Sequence, residues 1–373
     1  MVKINMDNIK EIRLKSIDGL RGISCLSVVC FHFFNETFKN DSILLYNFFS
    51  RFIFDGQMAV AIFFIISGEA LSVSFIENKN AASIFRPAVK RWPRLSIPVF
   101  FSAVLVFFIS KMHWVYNREA SVIVNRQDWL GEFLKYPPHV VDIFKFSFIS
   151  VFGKHPKNTL NPFLWTMHFE LIGSFFLFFL FFLIYKKLSY IIPFFFLIIF
   201  FAFGIKTDVF LSCFALGFLL SYARKTGFFE YIKTQKYSKY YVQITIAIFF
   251  IIEIISKKFY FSTGFLFFKS GFLTLFLLSN TDTCKFLDSK LIQFLGKISF
   301  PLFLFQFPIL ISFTSYLITK YYYFSHIPSM AIFIATSSVV LSIILATILY
   351  PIETLTQKIC NYIYKKTKIA FNI

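Results

Sequence analysis

The run Phe175–Tyr185, FFLFFLFFLIY, is apolar on every face of any helix it forms. A surface helix of a soluble fold keeps one polar face, so such a segment is either deeply buried or turned toward lipid. Comparable runs recur along the chain: 57% of its 373 residues are hydrophobic and only 15% are charged, against about 25% charged in soluble domains. Backbone polar groups in hydrocarbon must be satisfied internally, which apolar runs of ~20 residues achieve as helices. These constraints predict an all-α, polytopic membrane helix bundle of about ten transmembrane helices. The expected spans are 17–36, 53–75, 95–111, 163–185, 190–205, 208–223, 241–256, 260–279, 298–319 and 330–350.

Charge distribution orients the bundle. The 38 Lys and Arg against 19 Asp and Glu leave a net charge of +19. The basic residues sit in short loops between apolar runs, so the charge follows membrane topology and does not point to nucleic acid. Their excess falls on one set of loops, which predicts both termini in the cytoplasm. The chain then reads as one transmembrane domain over 1–373, with cytoplasmic tails at 1–16 and 354–373, a basic cytoplasmic loop at 77–94 and an external loop at 112–162. That external loop carries Trp114, Tyr116, Trp129, Tyr136 and the pair Pro137-Pro138; connections this long are usually functional or disordered. Five scattered cysteines show no metal or redox spacing and read as small buried hydrophobes.

A few ionisable residues fall where they are costly. His32 lies near the outer end of the first span, eleven residues after Arg21, about 16 Å along a helix. An intramembrane ionisable group marks a functional site by default, and imidazole ordinarily titrates near neutral pH, as a general base requires. The alternative is a histidine bonded to a neighbouring helix. Glu170, in Trp165-Thr-Met-His-Phe-Glu170, enters from the outside to a depth of roughly 13 Å and is the expected carboxylate partner of His32; a purely structural pair is the other reading. In the basic loop Arg86, Lys90 and Arg94 recur at four-residue spacing, which on a helix gives one face, with Arg91 beside them. The cluster suits phosphate groups as well as anionic lipid. Arg21 either pairs with Asp18 at i, i+3 or faces the same anionic ligand.

Taken together, these stretches resemble the acyltransferase 3 family. Arg21 followed by ten residues and His32 is similar to the family's opening block, and Phe63-Phe64-Ile-Ile-Ser67-Gly68 to its second. Arg86 through Pro98 (RPAVKRWPRLSIP), Leu164-Trp165-Thr166…Glu170, the stretch Leu295–Pro308 and Tyr350-Pro-Ile-Glu353 resemble four further blocks, all in order. The resemblance implies a multi-pass enzyme of the bacterial inner membrane that takes an acyl group, often acetyl, from cytoplasmic acetyl-CoA or another acyl-CoA. The acceptor it implies is a hydroxyl of a surface polysaccharide or lipid-linked sugar, with the bilayer as the other partner. No permanently bound cofactor or metal is expected.

On that resemblance His32 is catalytic, as general base or as acyl carrier, with Glu170 supporting it. Arg21, Arg86, Lys90, Arg91 and Arg94 take the donor, and Ser67, Trp165 and Thr166 bind the acyl oxygen or the acceptor. Three positions depart from the family pattern: Glu69 follows Ser67-Gly68, with Lys269 or Arg51 as an expected partner, Ala59 replaces a common Gly, and Gln306 stands where His is frequent. A transporter or flippase of lipid-linked sugars, or a non-catalytic scaffold of the same fold, would share the bundle and its intramembrane charges.

Overall fold

The structure, a computed structural model, describes residues 6–40, 54–154, 159–186, 198, 201, 208–255, 263–323 and 327–370, and these are helical with no strand among them. In chain order the helices are α1 (Met6–Cys30), α2 (Gly56–Asn78), α3 (Ala82–Lys111), α4 (Asn117–Ile123), α5 (Val140–Phe148), α6 (Thr166–Tyr185) and α7 (Val209–Lys225). They continue as α8 (Phe228–Thr234), α9 (Tyr241–Ile255), α10 (Thr263–Ser279), α11 (Thr281–Leu287), α12 (Lys290–Ile309), α13 (Pro328–Ile348) and α14 (Pro351–Ala370). Helix α1 runs on through a π-helical turn, Phe31–Glu36, and α12 through π-helical turns and a short α segment to Tyr322.

Among the described residues, six helical stretches are long and apolar enough to cross a membrane: Lys15–Glu36, Gly56–Asn78, Ala82–Lys111, Pro162–Tyr185, Lys290–Tyr322 and Pro328–Ile348. The pair α10 and α11 would make a seventh, but it bends by 89°. The bend is a capping event. Asn280 Oδ1 accepts from the N–H groups of Asp282 (2.9 Å) and Thr283 (3.0 Å), starting a new helix in a new direction. Helix α7 has 17 residues, fewer than the ~20 of a full crossing, while α9 and α10 are described over 15 and 17 residues. The span expected at 190–205 lies almost wholly outside the described residues. The chain is a multi-pass membrane protein.

Two segments read as connections are helices instead. Most of the basic stretch 77–94 forms the first half of α3, continuous with the apolar half that follows. Pro93 and Pro98 lie inside it, as prolines in membrane helices can where neighbours satisfy the freed carbonyls. The expected tail after residue 353 is the amphipathic α14, which buries Glu353, Thr356 and Cys360.

By their contacts the residues form two compact units, one of Met1–Ser24, Gln57–Val89 and Ile172–Lys297, the other of Cys25–Gly56, Lys90–Leu171 and Ile298–Ile373. In the first, α2 and α7 meet through glycine. A Cβ on Gly217 would strike the backbone of α2 at Ile65 O and, at 2.6 Å, Glu69 N. That approach lets Arg224 Nε donate to Glu69 Oε1 at 2.6 Å, with the guanidinium 4.3 Å over the Phe229 ring. Glu69 is fully buried, so a charged partner is a condition of its being there.

This packing makes a prediction. Gly217→Ala should destabilise the protein by about 1–3 kcal/mol, the usual cost of overpacking, read as a lower thermal midpoint in detergent. Gly264 serves as the control, because a Cβ added there would meet nothing among the described residues within 4 Å. Gly264→Ala should leave the midpoint unchanged or slightly raised.

Candidate functional site

The second unit contains His32, and its surroundings begin with a missing donor. Pro308 has no N–H to give to Leu304 O, the carbonyl four residues back on α12. Ser102 Oγ on α3 (3.0 Å) and Asn161 Nδ2 (3.1 Å) bond that carbonyl instead. Asn161 also caps the 3₁₀ turn Pro162–Trp165, its Oδ1 accepting from Phe163 N at 3.1 Å. A proline on one helix thus anchors the turn that carries Phe163.

Phe163 stacks face to face on the His32 ring, with centroids 3.9 Å apart and planes 14° from parallel. His32 itself lies in the π-helical turn, where its carbonyl accepts from Thr37 N (3.1 Å) and Thr37 Oγ1 (2.7 Å). Such turns are frequent at functional sites. The ring's Nδ1 lies 3.0 Å from Gln306 Oε1 on α12. Trp129 stands beside the stack, 6.2 Å from His32 and 6.0 Å from Phe163 and within 26° of parallel to both.

Trp129 belongs to the long segment 112–162, which is folded. Tyr116 N donates to Ile311 O at 2.9 Å, and buried Asn117 bonds the carbonyls of Leu130 (2.8 Å) and Phe133 (2.9 Å). Arg126, 2% exposed, donates to Glu36 through both its backbone carbonyl and, at 3.0 Å, its Oε2. Its Nε reaches Asp128 Oδ1 at 3.1 Å, and its guanidinium lies 5.1 Å from the Trp129 ring centre. The segment is therefore tied to the same turn of helix that bears His32.

The expected pairing of His32 with Glu170 is corrected by these contacts. Glu170 Oε2 is ion-paired and hydrogen-bonded to Arg91 Nη2, while His32 bonds Gln306. Depth along each helix put both residues within the expected spans but could not say which neighbour each would face. A buried carboxylate and a buried guanidinium satisfy each other far better than a carboxylate and a neutral ring. Arg91 therefore sits largely buried, with its guanidinium on Glu170.

The other residues singled out in the sequence divide between the units. In the second unit, Lys90 bonds Asn361 of α14 and lies 5.2 Å from the Tyr364 ring centre. Arg94, half exposed, reaches Glu353 at 3.6 Å. Trp165 is exposed, and Thr166 is buried with its Oγ1 lacking a partner. His168 Nδ1 donates to Phe152 O at 2.7 Å, a local structural bond. Arg21, Ser67 and Arg86 belong to the first unit. There Arg21 is paired with Asp18, the simpler of its two readings, while Ser67 is half-buried and Arg86 exposed.

Sequence reasoning missed Phe163, Arg126, Glu36 and the part played by Gln306. For Phe163 a signal existed in Asn161-Pro162 and in Pro308 four residues beyond Leu304. Arg126 gave none, because an arginine in a polar loop ordinarily reads as solvated.

The stacked, hydrogen-bonded imidazole of a multi-pass helical membrane protein is the candidate site. The chain belongs to the acyltransferase 3 family, whose model, described as an acyltransferase domain, matches residues 14–350. No curated protein and no solved structure matches it.

Proposed function

We propose that this acyltransferase moves an acetyl group from cytoplasmic acetyl-CoA to a hydroxyl of a surface polysaccharide or its lipid-linked precursor. The setting is a bacterial inner membrane, with both termini of the chain in the cytoplasm. The observation that carries the reading is the His32 ring, pinned by Phe163 and Gln306, in a chain of this family. His32 Nε2 takes the proton of the acceptor hydroxyl as that oxygen bonds to the thioester carbonyl carbon. Collapse of the tetrahedral adduct breaks the C–S bond, and the imidazolium returns its proton to the departing thiolate. An ester and the free thiol of the coenzyme result, with no net proton change.

Donor phosphates are assigned to the first half of α3, where Arg86, Lys90 and Arg94 recur at four-residue spacing. Arg21 is assigned to the donor by the family resemblance alone. Trp165, Thr166 and Ser67 are kept for the acyl oxygen or the acceptor, Thr166 because its buried hydroxyl has no partner. Arg86→Gln and Arg94→Gln should each raise the KM for acetyl-CoA about tenfold, the loss of one charge-assisted hydrogen bond, and more steeply at low salt. An unchanged KM across ionic strength would reduce the basic face to a topology signal.

The reading as a whole is tested by mass spectrometry of surface glycans from cells with and without the gene. It is joined to an assay of acetyl transfer by purified, reconstituted protein. The expected result is one acetyl mass per modified sugar, present only with the gene, together with release of free coenzyme A. Identical glycans and no coenzyme release by the purified protein would leave a transporter or scaffold in its place.

A further inference from the structure

We infer that Gln306 is the positioning residue that sets the working tautomer of His32, an inference that rests on His32 acting as the base proposed above. Gln306 is fully buried. Its amide can face only one way: Nε2 donates to Phe303 O at 3.1 Å, which leaves Oε1 toward the His32 ring at 3.0 Å from Nδ1. A carbonyl oxygen accepts and cannot donate, so the proton of this bond must sit on Nδ1. A neutral imidazole carries one N–H, so Nε2 holds the lone pair. Among the described residues Nε2 has no hydrogen-bond partner. Stacking on Phe163 at 3.9 Å opposes rotation of the ring about Cβ–Cγ, which would carry Nδ1 away from Gln306.

This arrangement differs from a carboxylate-supported histidine. The orienting group is a neutral amide, which fixes direction without adding charge to an apolar interior. Its own orientation depends on one backbone carbonyl a turn earlier on α12. The chain thereby presents an unprotonated nitrogen to an incoming hydroxyl whatever partner Glu170 has taken, and Glu170 is free to neutralise Arg91.

Two variants separate positioning from packing, because the two roles predict opposite orders. Gln306→Met keeps the size and apolar fit but removes the acceptor. Gln306→Glu keeps the acceptor but buries a charge. Positioning predicts that Gln306→Met loses about 10²-fold in kcat with the KM for acetyl-CoA unchanged, while Gln306→Glu retains clearly more activity. Pure packing predicts that Gln306→Met is near wild type and Gln306→Glu is the damaged one.

Wild-type protein gives a direct readout that does not depend on how any variant folds. In ¹⁵N-histidine-labelled protein, the ring signals lost in His32→Asn should report a protonated Nδ1 and an unprotonated Nε2. A protonated Nε2 would overturn the inference, as would Gln306→Met within twofold of wild type while His32→Ala is inactive. A fully active His32→Ala would instead overturn the assignment of His32 as base, so the two failures are distinguishable.

Discussion

If His32 is the proposed base, His32→Ala should lower acyl transfer by about 10²–10⁴-fold, the range spanned by a lost general base, while the protein should still insert and purify as the wild type does. The ring packs against Phe163 and bonds Gln306, but the surrounding elements are held by other means. Asn161 and Ser102 fasten the Phe163 turn to Leu304 O, and Arg126 fastens the 112–162 segment to Glu36. Removing the imidazole should therefore cost chemistry far more than fold. The measurement is kcat for acetyl transfer alongside the thermal midpoint of the same preparation. Full activity with an unchanged midpoint would end the assignment.

The second large effect belongs to Arg91 and Glu170, and it is one of stability. Their side chains are only 12% and 5% exposed, so Glu170→Ala strands a guanidinium in a nearly dry site. Breaking one half of a buried pair costs about 3–5 kcal/mol, enough to lower the yield of folded protein sharply. Replacing both partners with apolar residues of similar size, Arg91→Met with Glu170→Leu, should restore the thermal midpoint, since a well-packed apolar substitute is often as stable as the pair. Acetyl transfer by the restored double variant then separates two roles. Recovery of activity together with stability makes the pair structural; stability without activity assigns it a part in the site. A single Glu170→Ala variant as stable as wild type would contradict the buried pair itself.

Much of the fold was legible from side-chain chemistry alone. The runs ending near Glu36, Asn78, Lys111, Tyr185 and Ile348 are helices of crossing length, because uninterrupted apolar sequence has few other ways to satisfy its backbone in lipid. The basic stretch misled in one respect. Charge suggested a loop, yet the helix continues through Arg86, Lys90 and Arg94, since long cationic side chains do not oppose helical geometry. The bend at Asn280 was hidden for a related reason: one capping side chain redirects a helix without altering the hydropathy around it.

The site was legible as a set of residues and illegible as a set of pairs. Composition and spacing alone determined that the chain lives in a membrane and that His32, Glu170 and Glu69 lie where they need partners. Only the tertiary structure decided those partners. Glu170 takes Arg91, 79 residues away; Glu69 takes Arg224, 155 away; and His32 takes Gln306, 274 away. Helical periodicity says which face a side chain occupies, but the helix opposite that face is chosen by packing across the bundle. An amide at 306 and a carboxylate at 170 could each have met His32. The guanidinium of Arg91 claims the carboxylate because opposite charges in an apolar interior have the most to lose by staying apart.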